Sequence, residues 1–400
     1  MRGTYERRVW EAHPELTHAP PRLRRACEYD VFLPEPLETE TYGLPEELAA
    51  VVSDAEVAIS QLNHSAPMLA PLARLLLRTE SIASSKVEGL QVDAKQLARA
   101  EVRDETGQKA SAEALEILAN VDAMQFAIEE TAGARRITPY AILDVHRVLM
   151  ARRHPKMAGR LRDVQNWIGG NDFNPCGADF VPPPPELVDP LLQDLCRFAE
   201  RDDIPTLVQA ALLHAQFETI HPFEDGNGRT GRALVQVVFR RRGLAPGFVP
   251  PVSIVLAREK ERYIRGLTSY RNGDVLVWIE TFSVAVAEAC NFAKGYLECV
   301  RKVQDEWRAR LNEAVRPRSD AAAWALIDVL PAHPVVTLPV GVAATSRSKP
   351  AVNGAIPQLV DAGVLRPLSQ SKRNRAWEAS DLLDLIVDME EGVPAPLTHR

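Results

Sequence analysis

The sequence predicts a mainly α-helical fold broken by one β-hairpin, and three observations carry that expectation. Long stretches place apolar residues at i, i+3, i+4 spacing. The stretch from 159 to 185 loses this period and sets β-forming residues around a Gly/Asn/Pro-rich middle. Thirty prolines stand against 21 glycines and fall at the joints between stretches. The 400 residues are enough for two or three domains, each with its own core. Hydrophobic residues at 46% and charged residues at 25% are ordinary for a globular protein. A net charge of -7 gives no global signal for nucleic acid or for an anionic membrane.

Residues 1 to 45, with Pro20-Pro21 and FLPEPLETE, read as irregular. From about 45 to 90 the pattern is helical: Leu48, Val51, Val52, Ala55 and Ile59 share one face, and PLARLLLRTESIASSKVEG follows. Further helices are expected at about 92 to 105, 111 to 130 and 138 to 152. GRLRDVQNWIGGNDFNPCGADFVPPPP then reads as a hairpin with a long loop, ended by its prolines. Helices are expected again at about 186 to 201, 205 to 219, 228 to 242 and 257 to 304. After Arg316-Pro317-Arg318 come three helices (AAAWALIDVL, 338 to 345, 349 to 362), an extended pair with a basic turn, and a short helix. That is the outline of a winged helix. The division is thus an N-terminal region over 1–105, a catalytic domain over 106–305 and a winged helix over 318–395.

The N-terminus MRGTYERRVWEAHPE lacks an apolar core segment and does not read as a secretory signal. No uninterrupted apolar run approaches the roughly 18 to 20 residues that span a bilayer. Cys27, Cys176, Cys196, Cys290 and Cys299 are scattered, without zinc-ligand spacing, and read as buried or incidental thiols. A cytoplasmic protein without a membrane partner is the expectation.

The chemistry concentrates in HPFEDGNGRTGR, residues 221 to 232. Its GNGRTG satisfies the dinucleotide pattern GxGxxG, but the preceding LVQAALLHAQFET is helical and no acid stands near 246 to 249, so that reading fails. What remains is a loop feeding a helix that starts near Asn227. The free N–H groups of a first helical turn make an anion site. Gly226, Asn227 and Gly228 bring backbone close to it, and Arg229 and Arg232 share a helix face and suit bidentate phosphate contacts. Asp225 is placed to hold Mg2+, and His221 has the near-neutral pKa of a general base. A helix-capping loop would explain any one of these residues, but not three glycines and two same-face arginines together. These are the parts needed for transfer to a phosphorus centre.

The segment resembles the Fic family signature HxFx(D/E)GNGRxxR, matched at His221, Phe223, Asp225, Gly226, Asn227, Gly228, Arg229 and Arg232. Much of residues 30 to 300 looks like this family. The resemblance implies a helical Fic fold with a hairpin flap, and transfer of AMP from ATP to a Tyr, Thr or Ser hydroxyl of a protein. His221 would be the base and Asp225 the Mg2+ ligand. Gly226, Asn227 and Gly228 would line the anion hole, with Arg229 and Arg232 on the terminal phosphates and Phe223 anchoring the loop. The flap, Trp167, Ile168, Gly169 and Gly170, would pair with the target backbone by strand addition. Tyr263 and Tyr270 are candidates for the adenine pocket, with plain packing the stronger reading of both.

SSKVEG resembles the family's inhibitory pattern (S/T)xxxE(G/N), with Ser84, Glu88 and Gly89 in register. Ser84 and Glu88 share a helix face and Gly89 suits a C-terminal stop. Glu88 would pair with Arg232 and hold ATP in a non-productive pose. Two rival readings stay open: removal of AMP at the same site, and a DNA-binding regulator with a nucleotide-sensing Fic domain. For the latter, residues 339 to 379 hold Arg347, Lys349, Arg366, Lys372, Arg373 and Arg375 against Asp361 and Glu378. This distribution suits DNA backbone contact. Pro357 would kink or shorten the recognition helix. The alternatives for this module are homodimerisation and target docking.

Overall fold

The computed structural model describes residues 2–15, 17–39, 43–64, 72–105, 107–368 and 375–393. The chain is mainly helical and divides into two compact units, each drawn from three separate stretches of sequence.

The first unit comprises residues 1–53, 126–242 and 261–284. It opens with two strands, β1 (Gly3–Trp10) and β2 (Cys27–Pro34), paired antiparallel from Gly3↔Pro34 to Trp10↔Cys27. The expectation of an irregular N-terminus is therefore wrong. β1 is mostly exposed and carries Glu6, Arg7 and Arg8 across both faces, so its alternation of hydrophobicity is weak. β2 buries Val31 and Phe32, and the Phe32 N–H donates to Val181 O at 2.9 Å. Cys27 is bonded to Cys176, 149 residues away, which corrects the reading of five incidental thiols. Strand pairing brings Cys27 back to the loop after residue 168, and neither sequence spacing nor composition records that. Cys196, Cys290 and Cys299 are free and buried, as expected.

The unit's helices are α5 (Pro139–Met150), α6 (Pro185–Ala199), α7 (Thr206–Ile220) and α8 (Asn227–Arg241), together with α10 (Lys260–Asn272). The first four agree closely with expectation. α7 packs against α6 and α8, and α5 packs against α8. Every residue of α7 from Leu207 to Ile220 is buried, the polar Gln209, His214, Gln216 and Glu218 among them. Gly231 lets α8 approach: a Cβ there would lie 2.9 Å from both Glu218 Oε1 and Phe217 Cδ1.

The second unit comprises residues 54–125, 243–260 and 285–400. α1 (Glu46–His64) runs into it, and α2 (Ala73–Val87), α3 (Ala94–Glu105) and α4 (Ala112–Phe126) follow. α2 packs on α9 (Val252–Arg258), whose N-terminus is capped by buried Glu80. Its carboxylate accepts from the Ser253 N–H at 2.8 Å and the Ser253 hydroxyl at 2.6 Å. The single helix expected over 257 to 304 is three, because Glu259 and the Asn272-Gly273-Asp274 turn interrupt it, Gly273 with φ +99. α11 (Val275–Ala314) runs beyond the expected end. By length and composition it would pass for a membrane span, but Trp278, Phe282, Val286, Ala289, Tyr296 and Trp307 are all buried.

The C-terminal elements are α12 (Ala322–Val329), β3 (Val335–Thr337), α13 (Leu338–Thr345), α14 (Lys349–Asp361), β4 (Arg366–Pro367), β5 (Ala376–Glu378) and α15 (Ser380–Glu390). The three strands form one antiparallel sheet in the order β3-β5-β4. α14 is not shortened by Pro357: it runs on to Asp361, and the residue four back, Asn353, is exposed, where its carbonyl can be solvated. Lys372 and Arg373 lie outside the described residues. Arg99 holds Glu378 with two-pronged contacts of 2.8 to 3.1 Å, and α15 packs on α2 and α3.

Candidate active site

α7 ends at Ile220, and His221 caps it in the left-handed region at φ 50, ψ 61. Pro222 follows and disfavours continuation of the right-handed helix at His221. The His221 N–H still donates to Phe217 O at 2.9 Å, so the backbone leaves the helix on a hydrogen bond. For a residue with a Cβ this conformation costs on the order of 1 kcal/mol. It persists only where the surroundings fix it, and here they do.

The loop that follows is closed by side chains. Asn227 accepts from the Phe223 N–H at 2.9 Å and donates to Phe223 O at 2.8 Å, and Asn166 donates to the same carbonyl at 3.0 Å. Phe223 is fully buried and its ring stacks on His146 with centroids 3.7 Å apart. The Gly159 N–H donates to His146 Nδ1 at 3.1 Å, which leaves the proton on Nε2, facing Asp225 O at 3.0 Å. Burial pushes the His146 pKa down to about 4, so the ring is neutral and holds this tautomer. Gly226 sits at φ +79, and a Cβ there would meet Met150 Sδ at 3.1 Å and the His146 ring at 3.3 Å. Glycine is required on both counts.

α8 starts at Asn227. Its first N–H groups have no acceptor within the helix and face the loop. The Asn227 side chain is engaged with Phe223, so what this residue can offer an anion is its backbone. His221 and Gly228 are half-buried and Asp225 is exposed, while Gly226, Asn227, Arg229 and Arg232 are buried. The two arginines are thus set deeper than the histidine and the aspartate. Arg229 lies 3.7 Å from Asp225, and the charge of Arg232 adds to the burial that pushes His214 down to about 3. Among the described residues no three His, Cys, Asp or Glu side chains cluster as a metal cage. One exposed carboxylate beside an anion site does fit Mg2+ brought in by a polyphosphate, which supplies most of the ion's oxygen ligands.

The hairpin expected over 159 to 185 is reduced to one bridge, Ile168↔Phe180. Gly169 and Gly170, both left-handed, turn the chain at once, and Trp167 Nε1 donates to Asn171 O at 2.6 Å. The bridge joins β2 through the Phe32–Val181 hydrogen bond, and Ile168 remains 37% exposed on the outer side. Tyr263 and Tyr270 are packing residues: both are buried, Tyr263 bonded to His214 at 2.9 Å and Tyr270 to Gln216 at 2.8 Å. Ser84 is buried in α2. The helix ends with the Leu90 N–H on Ser85 O and the Gly89 N–H on Lys86 O, the paired bonds of a glycine-terminated helix, Gly89 at φ +91. Glu88 is the last residue before that glycine and is exposed.

Three residues of the site escaped the sequence reading. Asn166 and His146 fix the loop, and Arg162, 3% exposed, donates to backbone carbonyls around His221. Arg162 lies in the quoted GRLRDVQNWIGG, but no local pattern separates it from its neighbouring arginine. His146 reads on its own helix as an ordinary core position.

Residues 136–239 match the model of the Fic/DOC family, and residues 49–129 match that of the Fic/DOC family N-terminal region. Among curated proteins the chain is similar to a protein adenylyltransferase Fic of Nematostella vectensis, 32% identical over 146 residues, which are 36% of this chain and 31% of the relative. It is 33% identical over 112 residues to the protein adenylyltransferase fic-1 of Caenorhabditis elegans, covering 27% of this chain and 20% of that one. The chain thus matches about a third or less of the length of these relatives. A solved Fic family protein from Desulfovibrio desulfuricans aligns with TM-score 0.53 at 20% identity, covering 84% of this chain and 97% of that one. C. elegans Fic-1 aligns with TM-score 0.52 at 21% identity, covering 63% and 73%. These structural likenesses show the fold.

Proposed function

Since the chain belongs to the Fic/DOC family, we propose that it is a protein adenylyltransferase, moving AMP from ATP onto a Tyr, Thr or Ser hydroxyl of a protein. The observation that carries this reading is one turn that sets a half-buried histidine and an exposed carboxylate just ahead of a helix whose first turns hold two buried arginines. His221 takes the hydroxyl proton as the oxygen attacks the α-phosphorus in line. The new O–P bond forms as the bond to the bridging oxygen breaks and pyrophosphate leaves. The amides of Gly226, Asn227 and Gly228 receive phosphate oxygens, and Arg229 and Arg232 the terminal phosphates. Asp225 would hold Mg2+, which neutralises charge on the phosphates. The backbone on either side of the bridged Ile168 offers an edge for the target strand, with Trp167, Gly169 and Gly170 shaping the turn.

Glu88 is the proposed brake, withdrawing Arg232 from the γ-phosphate. The glycine-terminated end of α2 supports this by fixing the backbone at Glu88. Intact-mass spectrometry after incubation with each nucleoside triphosphate and Mg2+ tests both claims. The parent should gain little mass, Glu88→Gly should gain one AMP from ATP, and His221→Ala should gain none. A Glu88→Gly protein no more active than the parent would sink the brake. Loss of AMP from a pre-modified protein, faster in the parent, would favour the removal reaction.

DNA contact is a second proposed role, resting on Arg347, Lys349, Arg366 and Arg375, all exposed around α14. Binding to duplex DNA should weaken steeply with salt, and loss of that slope in Arg347→Ala/Lys349→Ala would tie it to this face.

A further inference from the structure

Arg162 is a buried cation whose hydrogen-bond partners are all backbone carbonyls. Its Nε donates to His221 O at 2.8 Å, and its Nη2 to Ile220 O at 3.3 Å and to Pro183 O. Its Nη1 donates to Val164 O at 3.3 Å, and its own backbone N–H to Pro222 O at 3.0 Å. Three consecutive carbonyls of the turn, those of Ile220, His221 and Pro222, therefore accept from this one residue. The remaining two bonds reach both legs of the flap. Burial pushes the guanidinium pKa down to about 10, so the fold holds this charge against a desolvation cost.

We propose that Arg162 is the positioning residue for His221, and that it couples the flap to the base; this rests on the reading of His221 as general base. His221 is left-handed, so the direction of its ring follows from peptide planes that would relax toward commoner conformations if released. Hydrogen bonds to the carbonyls before, at and after it lock those planes, leaving the ring only its side-chain torsions. The positive group also sits at the C-terminal end of α7, where the helix dipole favours a cation. A guanidinium can serve His221, Val164 and Pro183 at once because its donors are a planar fork, which an ammonium does not reproduce. Any target strand paired to the flap is then held at a fixed distance from the base.

The test uses the full chain carrying Glu88→Gly, with Arg162→Lys and Arg162→Gln added separately. Self-modification is measured as kcat and as KM for ATP, and the His221 ring signal is followed by NMR against pH, assigned by its loss in His221→Ala. Misplacing a base by about 1 Å costs about 100-fold in rate, so kcat should fall about that much in both variants while KM for ATP stays within about threefold. The His221 signal should move or double. Wild-type kcat in Arg162→Lys, or an unmoved His221 signal in both variants, overturns the proposal, as does a lowered melting temperature with kcat intact. If the Glu88→Gly protein itself transfers no AMP, the adenylyltransferase reading fails, and the His221 signal still decides whether Arg162 positions it.

Discussion

Phe223 carries the loop between His221 and α8, and its two backbone groups depend on two asparagines. Asn227→Ala removes the acceptor of a buried N–H and one of two donors to the carbonyl. An orphaned buried donor costs about 1–3 kcal/mol and a lost bond about 1 kcal/mol, so a total of about 3 kcal/mol is expected. Asn166→Ala costs only about 1 kcal/mol, because Asn227 still serves the carbonyl. Together the substitutions strand that carbonyl as well, so the double variant should exceed the sum by about 1 kcal/mol. For a unit of this size, thermal midpoints should fall by about 6–12 °C, about 2–4 °C, and more than their sum. Differential scanning calorimetry on the four proteins gives the cycle, and nucleotide affinity should fall in parallel, since Asn227 opens α8. Additivity within about 0.5 kcal/mol would refute the shared-carbonyl argument.

Other consequences are as direct. Gly231→Ala sets a methyl 2.9 Å from Phe217 and Glu218; overpacking should cost about 1–3 kcal/mol, visible in urea unfolding. Glu390 is buried and its pKa is pushed up to about 7 by desolvation, against the opposing pull of Lys86, while Asp93 adds to the rise. The folded state then keeps a proton that the unfolded chain releases, so stability should fall as pH rises from about 4.5 through 7, and Glu390→Gln should flatten that slope in a pH series of melts. Reducing Cys27–Cys176 opens a cross-link spanning 149 residues. Chain entropy alone sets an upper bound of about 5 kcal/mol on the loss. A dithiol should lower the melting temperature of the parent and leave Cys176→Ser unchanged.

What the sequence disclosed follows from how local each signal is. Helices α5, α6 and α8 were legible because their apolar period is strong, and His221 to Arg232 because its chemistry is compressed into one turn and the next. The N-terminal strands were not, since β1 buries little and β2 makes sense only beside Val181. The breaks in the segment expected as one helix were half legible: Asn272-Gly273 is an ordinary turn signal, whereas Glu259 is not. Arg162, Asn166 and His146 were invisible for one reason. Their partners in the turn are backbone carbonyls 57 to 79 residues on, and the others are backbone groups too, such as Val164 O, Pro183 O and the Gly159 N–H, which leave no residue type to read.

The burial of α7 on all sides has a further consequence for how fast parts of this molecule open. A helix without a water-facing side exchanges its amide protons only when the surrounding unit comes apart, so its slowest amides report the unit's global opening free energy. His221 follows directly after that segment, in a turn whose neighbours reach the surface. Deuterium uptake should therefore step from the slowest protection in the unit to intermediate protection within a few residues. His221 stands on that boundary, its backbone rooted in the least yielding part of the chain and its side chain half-buried.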